Sequence, residues 1–307
     1  MGLQVSRSGN NLPAGLFVPQ IYSAKMQEKF YAASVVPAIA NHDWEGEIKN
    51  FGDKVLIRKI PTVVISDYTV NSTLNFQDVS DEQITLLINK AKSYAVKVDY
   101  IDEYQADINI ISKLSDDAAM QTQVVIDKDV LQTVYSDSSI PANNTITASN
   151  LSKDGASNTT AILDQLMLAG QRLDELNIPR DGRRWVVLSP KGGRLLKTSP
   201  LSQAYITGDP TSPLRNGFIG NIDGMKVYVS NNVLNAGLGT AGGTTIQEEW
   251  LVGHECAISF ASQFVRHEQI PLQNTFGWGL KGLNVYGFAV TKGDGLIRMR
   301  ASYASGV

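Results

Sequence analysis

The chain has 307 residues, long enough for two compact units or for one core with large insertions. Hydrophobic residues make up 43% and charged residues 19%, which excludes an intrinsically disordered chain, and 27 basic against 30 acidic residues, a net charge of -3 without any dense basic block, excludes a tight binder of duplex DNA. The single cysteine, Cys256, excludes an intramolecular disulfide, and no apolar run approaches the eighteen or so residues of a membrane-spanning helix.

Residues 1 to 19 hold Gly2, Gly9, Gly15, Pro13 and Pro19 with adjacent Asn10 and Asn11, a composition that favours an extended arm. From Gln20 to Ser34 a loose helical stripe of Ile21, Ala24, Met26, Phe30 and Ala33 is expected to end at Pro37. Two alternating runs follow. Val55 and Ile57 fall on one face and Leu56, Arg58 and Ile60 on the other; Ile84, Leu86 and Ile88 then alternate with Thr85, Leu87 and Asn89, and the alternation continues through Tyr94, Val96 and Val98. Period two over Gln83 to Asp99 predicts a long two-stranded hairpin. Its tip, from Pro61 through Asp67, Tyr68, Asn71, Ser72 and Asn75 to Asp81, reads as polar turn formers with little that could make a private core. A two-stranded hairpin alone is marginal in water, so this one needs a surface, and a neighbouring subunit supplies it most economically. Lys54, Arg58, Lys59, Lys90 and Lys92, with Asp67, Asp78, Asp81 and Glu82, are the candidate contacts that set the docking register by charge.

No proline or glycine interrupts Asp107 to Tyr135, where Ile111, Leu114, Ala118, Val125, Leu131 and Tyr135 recur at helical spacing. A helix of about 28 residues spans roughly 42 Å. Ser136 to Thr160 reads as loop with one short strand around Thr145 to Thr147. A second amphipathic helix carries Ile162, Leu163, Leu166, Met167, Gly170, Leu173 and Leu176, with Ser157, Asn158 and Thr159 as capping candidates and Pro179 as its stop. Trp185 to Leu188 is a buried strand, and Pro190 to Lys197 a short helix with proline in its first turn. Asp223-Gly224 between Phe218–Ile222 and Met225–Ser230 predicts a tight hairpin turn, because both residues accept a positive φ. Strands are expected at Trp250 to Gly253, Ala257 to Phe260, Leu283 to Val290 and Leu296 to Ser302. The pattern is α+β.

In this order the elements resemble the major capsid proteins of tailed bacteriophages with the Hong Kong 97-like fold. The residues that carry the resemblance are Gly52-Asp53-Lys54-Val55 opening the hairpin, Val98-Asp99 before the long helix, the run from Gly220 to Asn232 around the Asp-Gly turn, and Gly282 to Gly287 with Val290. The resemblance implies residues 1–44 as an N-terminal arm with a short helix and 45–99 as the extended loop. It implies 100–154 as the peripheral domain with its spine helix, 155–245 as the axial α/β domain and 246–307 as mostly peripheral strands. It implies a shell subunit that assembles with itself into pentamers and hexamers around double-stranded DNA, in a virion capsid built in the host bacterial cytoplasm, and is no enzyme. Weak contact with DNA, a portal and a separate scaffolding protein, the last because no long segment precedes the arm, are the expected partners; no cofactor and no membrane are expected. A nanocompartment shell of the same fold is the alternative, and an unrecognised hydrolase a more distant one.

Other motifs tempt a chemical reading. Gly237-Leu238-Gly239-Thr240-Ala241-Gly242 spells a dinucleotide loop, but a strand rather than a helix is expected after it. His254-Glu255-Cys256 and His267-Glu268 lack metal-ligand spacing, so structural roles are expected for them as for His42. Adjacent acids at Asp102-Glu103, Asp116-Asp117, Asp174-Glu175 and Glu248-Glu249 do not face a common point and are expected on solvated faces or in ion pairs between subunits. No catalytic, cofactor or metal residue is assigned.

Overall fold

The computed structural model describes residues 34–44, 54–61, 63–70, 73, 76–78, 82–100, 110–155, 159–199, 220–235, 240–241, 244–245, 247–273 and 275–303. The expected arm and the helix over Gln20 to Ser34 lie outside these residues except for Ser34, as do residues 45–53 and the pair Asp102-Glu103. The first described helix, α1, is Val36–Ile39. Pro37 opens this helix instead of ending one, in the first turn where its missing N–H has no partner to lose.

The main sheet has seven strands in the order β5-β4-β14-β11-β6-β8-β7. Its members are β4 (Thr145–Ser152), β5 (Thr160–Ala161), β6 (Arg184–Leu188), β7 (Asn221–Ile222), β8 (Met225–Val229), β11 (Glu248–His254) and β14 (Leu296–Tyr303). β11 runs antiparallel to β14 and to β6, whereas β4 is parallel to β14 and β8 to β6. All five residues of β6 are buried, as their continuous apolar run requires of a central strand. The boundary expected near residue 245 does not fall at a break in this sheet, because β11 pairs directly with β6 and with β14. The strand expected over Thr145 to Thr147 extends to Ser152, since parallel pairing with β14 continues to Leu151.

α2 (Ile110–Tyr135), α3 (Ile162–Glu175) and α4 (Pro190–Thr198) accompany the sheet. Ile126, Val130, Leu131, Val134 and Tyr135 of α2 and Ile162, Leu166, Ala169 and Leu173 of α3 belong to one core with Trp185, Trp250 and Met299. The 26 residues of α2 reach about 39 Å, and none from Ile111 to Val125 is fully buried; this half overhangs a second sheet. α3 starts at Ala161 without a side-chain cap, so Ser157, Asn158 and Thr159 are not its caps. It stops at Asn177, not at Pro179: Asn177 has φ 58°, its N–H reaches Asp174 O and that of Ile178 reaches Leu173 O, a left-handed helix end in which asparagine stands in for glycine. Ser189 caps α4, accepting from Gly192 N–H at 3.1 Å.

The second sheet, β12-β13-β3, is antiparallel and joins β12 (Ile258–Pro271), β13 (Gly277–Val290) and β3 (Lys90–Asp99). The predicted hairpin is therefore divided. β1 (Lys54–Lys59) pairs only with β2 (Glu82–Leu87), from Lys54 opposite Leu87 to Lys59 opposite Glu82, while β3 crosses to β13. The chain changes partner at Ile88-Asn89 against Gly287, where a Cβ would stand 2.3 Å from Leu87 O; only glycine permits this approach. Alternation survives the change of partner, so period two alone could not separate one long strand from two. A two-strand ribbon of β9 (Thr240–Ala241) and β10 (Thr244–Thr245) completes the described strands.

Candidate assembly surface

The β1–β2 ribbon is fixed at its base and free beyond it. Ile57, Leu86 and Ile88 pack with Ala261 in a small core of their own, flanked by Trp44, Val55, Ile84, Val285 and Ala289. Alternation then leaves Lys54, Leu56 and Arg58 on the outer face, exposed. Beyond the ribbon the chain forms no described strand or helix, and its apolar side chains point into solvent: Val70, Ile65, Ile60 and Phe76 are 86 to 97% exposed, and Val63, Val64 and Tyr68 are exposed as well. Gln77 ties the two arms of this loop, accepting from Val64 N–H at 3.1 Å and donating to Val64 O at 2.6 Å. The reading of the tip as polar thus missed its main property. The signal was present in Val63-Val64-Ile65, Val70 and Phe76, diluted by the polar residues between them.

Charge is segregated along the same element. From Ile60 to Gln83 the sequence carries Asp67, Asp78, Asp81 and Glu82 and no lysine or arginine. Asp67 and Asp78 are exposed; Asp81 lies outside the described residues and Glu82 is described in its backbone alone. Lys54, Arg58 and Lys59 are exposed on β1.

Lys90 and Lys92 do not belong to this surface. Both are half-buried on β3. Lys90 Nζ lies 2.9 Å from Asp129 of α2 and 4.3 Å from the ring centre of Phe288. Tyr286, fully buried, donates its hydroxyl to the same carboxylate at 2.7 Å. Burial works against the Asp129 carboxylate, but the bonds from Tyr286 and Lys90 outweigh it and hold its pKa below the usual range. Burial, then the bond to Asp129, pushes the Tyr286 phenol up.

The groups that tempted a chemical reading are bonded within the fold. His254, at the end of β11, accepts from Cys256 N–H at Nδ1, which leaves Nε2 to donate to Asp181 at 2.9 Å. That bond holds the Asp181 carboxyl below the usual range, with Arg183 adding to it and burial opposing. His267, on β12, meets Tyr94 Oη at 2.8 Å beside a groove of about 500 Å³ between α2 and the second sheet. His42 stacks edge-on against Phe260. Glu248 is buried and takes bonds from the hydroxyls of Ser189 and Tyr303 and from Trp250 Nε1, whereas its neighbour Glu249 faces the other side of β11. Asp174 binds Arg180 and the fully buried Arg184. A short strand follows the glycine-rich loop, as expected, although Gly237, Gly239 and Gly242 lie outside the described residues.

No protein-family profile and no curated protein matches the chain. Solved structures do. A chain from Mycobacterium phage Che8 superposes with a TM-score of 0.75 at 24% identity, covering 92% of this chain and 97% of that one. The capsid of cyanophage P-SCSP1u gives 0.72 at 15% identity, with 94% of each chain covered. The mature capsid of bacteriophage PhiM1 gives 0.69 at 14%, covering 92% and 91%. From end to end, the chain has the fold of these phage capsid structures.

Proposed function

We propose that this chain is the major capsid protein of a tailed bacteriophage, a structural subunit that assembles with itself into an icosahedral head around double-stranded DNA. The observation that carries the proposal is the nearly full-length match, covering over nine-tenths of both chains, to the mature capsid of PhiM1 and the capsid of P-SCSP1u. The β1–β2 loop fits this role, because a large apolar exposure of this kind on a soluble chain marks an interaction site. In the proposed shell the loop lies across an adjacent subunit, with its acids and the Lys54, Arg58 and Lys59 cations setting register at the rim. The arm, extended loop, peripheral and axial divisions drawn from the sequence are proposed as the working parts. A separate scaffolding protein, a portal and weak contact with packaged DNA are the proposed partners, and the host cytoplasm the proposed site of assembly.

Negative-stain electron microscopy of the expressed chain, alone and with the phage's scaffolding protein, tests the proposal. Closed shells or five- and six-membered rings are expected; a chain that stays monomeric under both conditions contradicts it.

A further inference from the structure

Asp127 is a carboxylate on α2 that is completely shielded from solvent, and the roles assigned above do not use it. A buried carboxylate is costly unless its acceptor positions are filled, and here four donors fill them. Ser34 Oγ donates to Oδ1 at 3.1 Å, and the backbone N–H groups of Val35 and Val36 donate to the same oxygen at 2.8 Å each. Asn232 Nδ2 donates to Oδ2 at 2.8 Å. Three elements distant in sequence therefore meet on one side chain: the segment that opens α1, the long helix, and the turn after β8. Val35 supplies no side-chain cap of its own, so Asp127 takes the place of a local cap for α1. The far end of the same segment is also fastened, since Asn41 N–H donates to Ile258 O at 2.8 Å and its carbonyl accepts from Phe260 N–H at 2.9 Å. Between these ties Val35, Val36, Ile39 and Ala40 are buried in the main core.

We propose that Asp127 is a positioning residue for assembly: it fixes where the chain N-terminal to Ser34 leaves the body, and so the direction in which that chain is offered to a second copy. The inference rests on the shell-forming reading, although the anchoring can be judged without it. Without the anchor, 34–41 keeps its apolar contacts but loses its charge-assisted bonds, and copies no longer join in one register.

Two variants test this by amide hydrogen exchange and by electron microscopy of assembly products. Asp127→Ala leaves the Val35 and Val36 N–H groups without an acceptor; exchange over 34–41 should rise by about tenfold or more, the factor expected for a lost charge-assisted hydrogen bond, with α3 and β6 unchanged and regular shells lost. Asp127→Asn keeps an acceptor for both amides and, with the Asn232 amide turned over, a partner for it. Neutral bonds are roughly half as strong, so exchange should rise by less and particles should persist. Unchanged exchange over 34–41 in the Ala variant overturns the anchoring, and wild-type shells alongside raised exchange overturn its role in assembly. If the Ala variant unfolds throughout, the Asn variant decides: a rise confined to 34–41 supports the anchor, and a global rise or none overturns it. Wild-type protein is measured in parallel; its failure to form shells would count against the shell reading, while exchange still judges the anchor.

Discussion

Asp223 and Gly224 have φ of 49° and 73°, the pair of left-handed residues that a two-residue hairpin turn requires. Arg180 holds the turn through Asp223 Oδ1 at 2.9 Å. A Cβ at Gly224 would meet nothing within 4 Å, so any penalty at this position comes from backbone conformation and not from a clash. Gly224→Val should therefore cost about 1–3 kcal/mol, read as a lower melting temperature with the fold retained; an unchanged melting temperature would contradict the turn. At Asp129 the folded pKa is depressed, so its stabilisation is present above the ordinary carboxylate range and is lost as pH falls through the folded value. Wild-type stability should accordingly decline on acidification below about pH 4, and Asp129→Asn should reduce that decline. Tyr286→Phe, which removes one hydroxyl bond to the carboxylate, should cost about 1–2 kcal/mol at neutral pH, measured by the denaturant midpoint.

Among the elements, the β1–β2 ribbon and its loop separate stability from assembly. Ile57 and Leu86 at the base are buried, whereas Ile60, Ile65, Val70 and Phe76 beyond it are not, so the loop adds almost no burial to the single chain. Lys59 and Glu82 already face each other across the ladder. Replacing residues 60–81 by Asn-Gly should close the ribbon there, leave the melting temperature within a few degrees, and abolish shells. Each apolar side chain that a neighbour buries is worth about 1.5–3 kcal/mol, which the deletion removes from every contact. Shells of full size from this variant would refute the assembly role, and an unfolded subunit would place the loop in the core.

Much of this architecture was legible in the sequence. Alternation at Val55–Ile57 and Ile84–Ile88, the uninterrupted helix ending at Tyr135 and the Asp-Gly turn all rest on local periodicity or local φ, which a sequence carries directly. What the sequence hid depends on distant partners. Nothing near Asn89 announces that β3 leaves β2 for β13, because the signal sits at Gly287. Lys90 reads as an exposed cation until Asp129, 39 positions on, is brought beside it. The apolar loop was hidden for the opposite reason: burial is the usual fate of Val, Ile and Phe, and an unpartnered chain leaves these side chains exposed.

For the whole molecule, the seven-stranded sheet with α3 and α4 and the three-stranded sheet beneath the free half of α2 form a body that needs no other chain to bury its main core. The exposed loop does need another chain. A modest loss at one contact is repeated in every subunit of a closed shell, so assembly should fail before folding does. Purified wild-type protein, brought to assembly conditions and imaged by electron microscopy beside its loop-replaced variant, tests this most directly. The account predicts regular closed shells or capsomer rings from the first and only folded, unassembled subunits from the second; identical particles from both, or none from either, would contradict it.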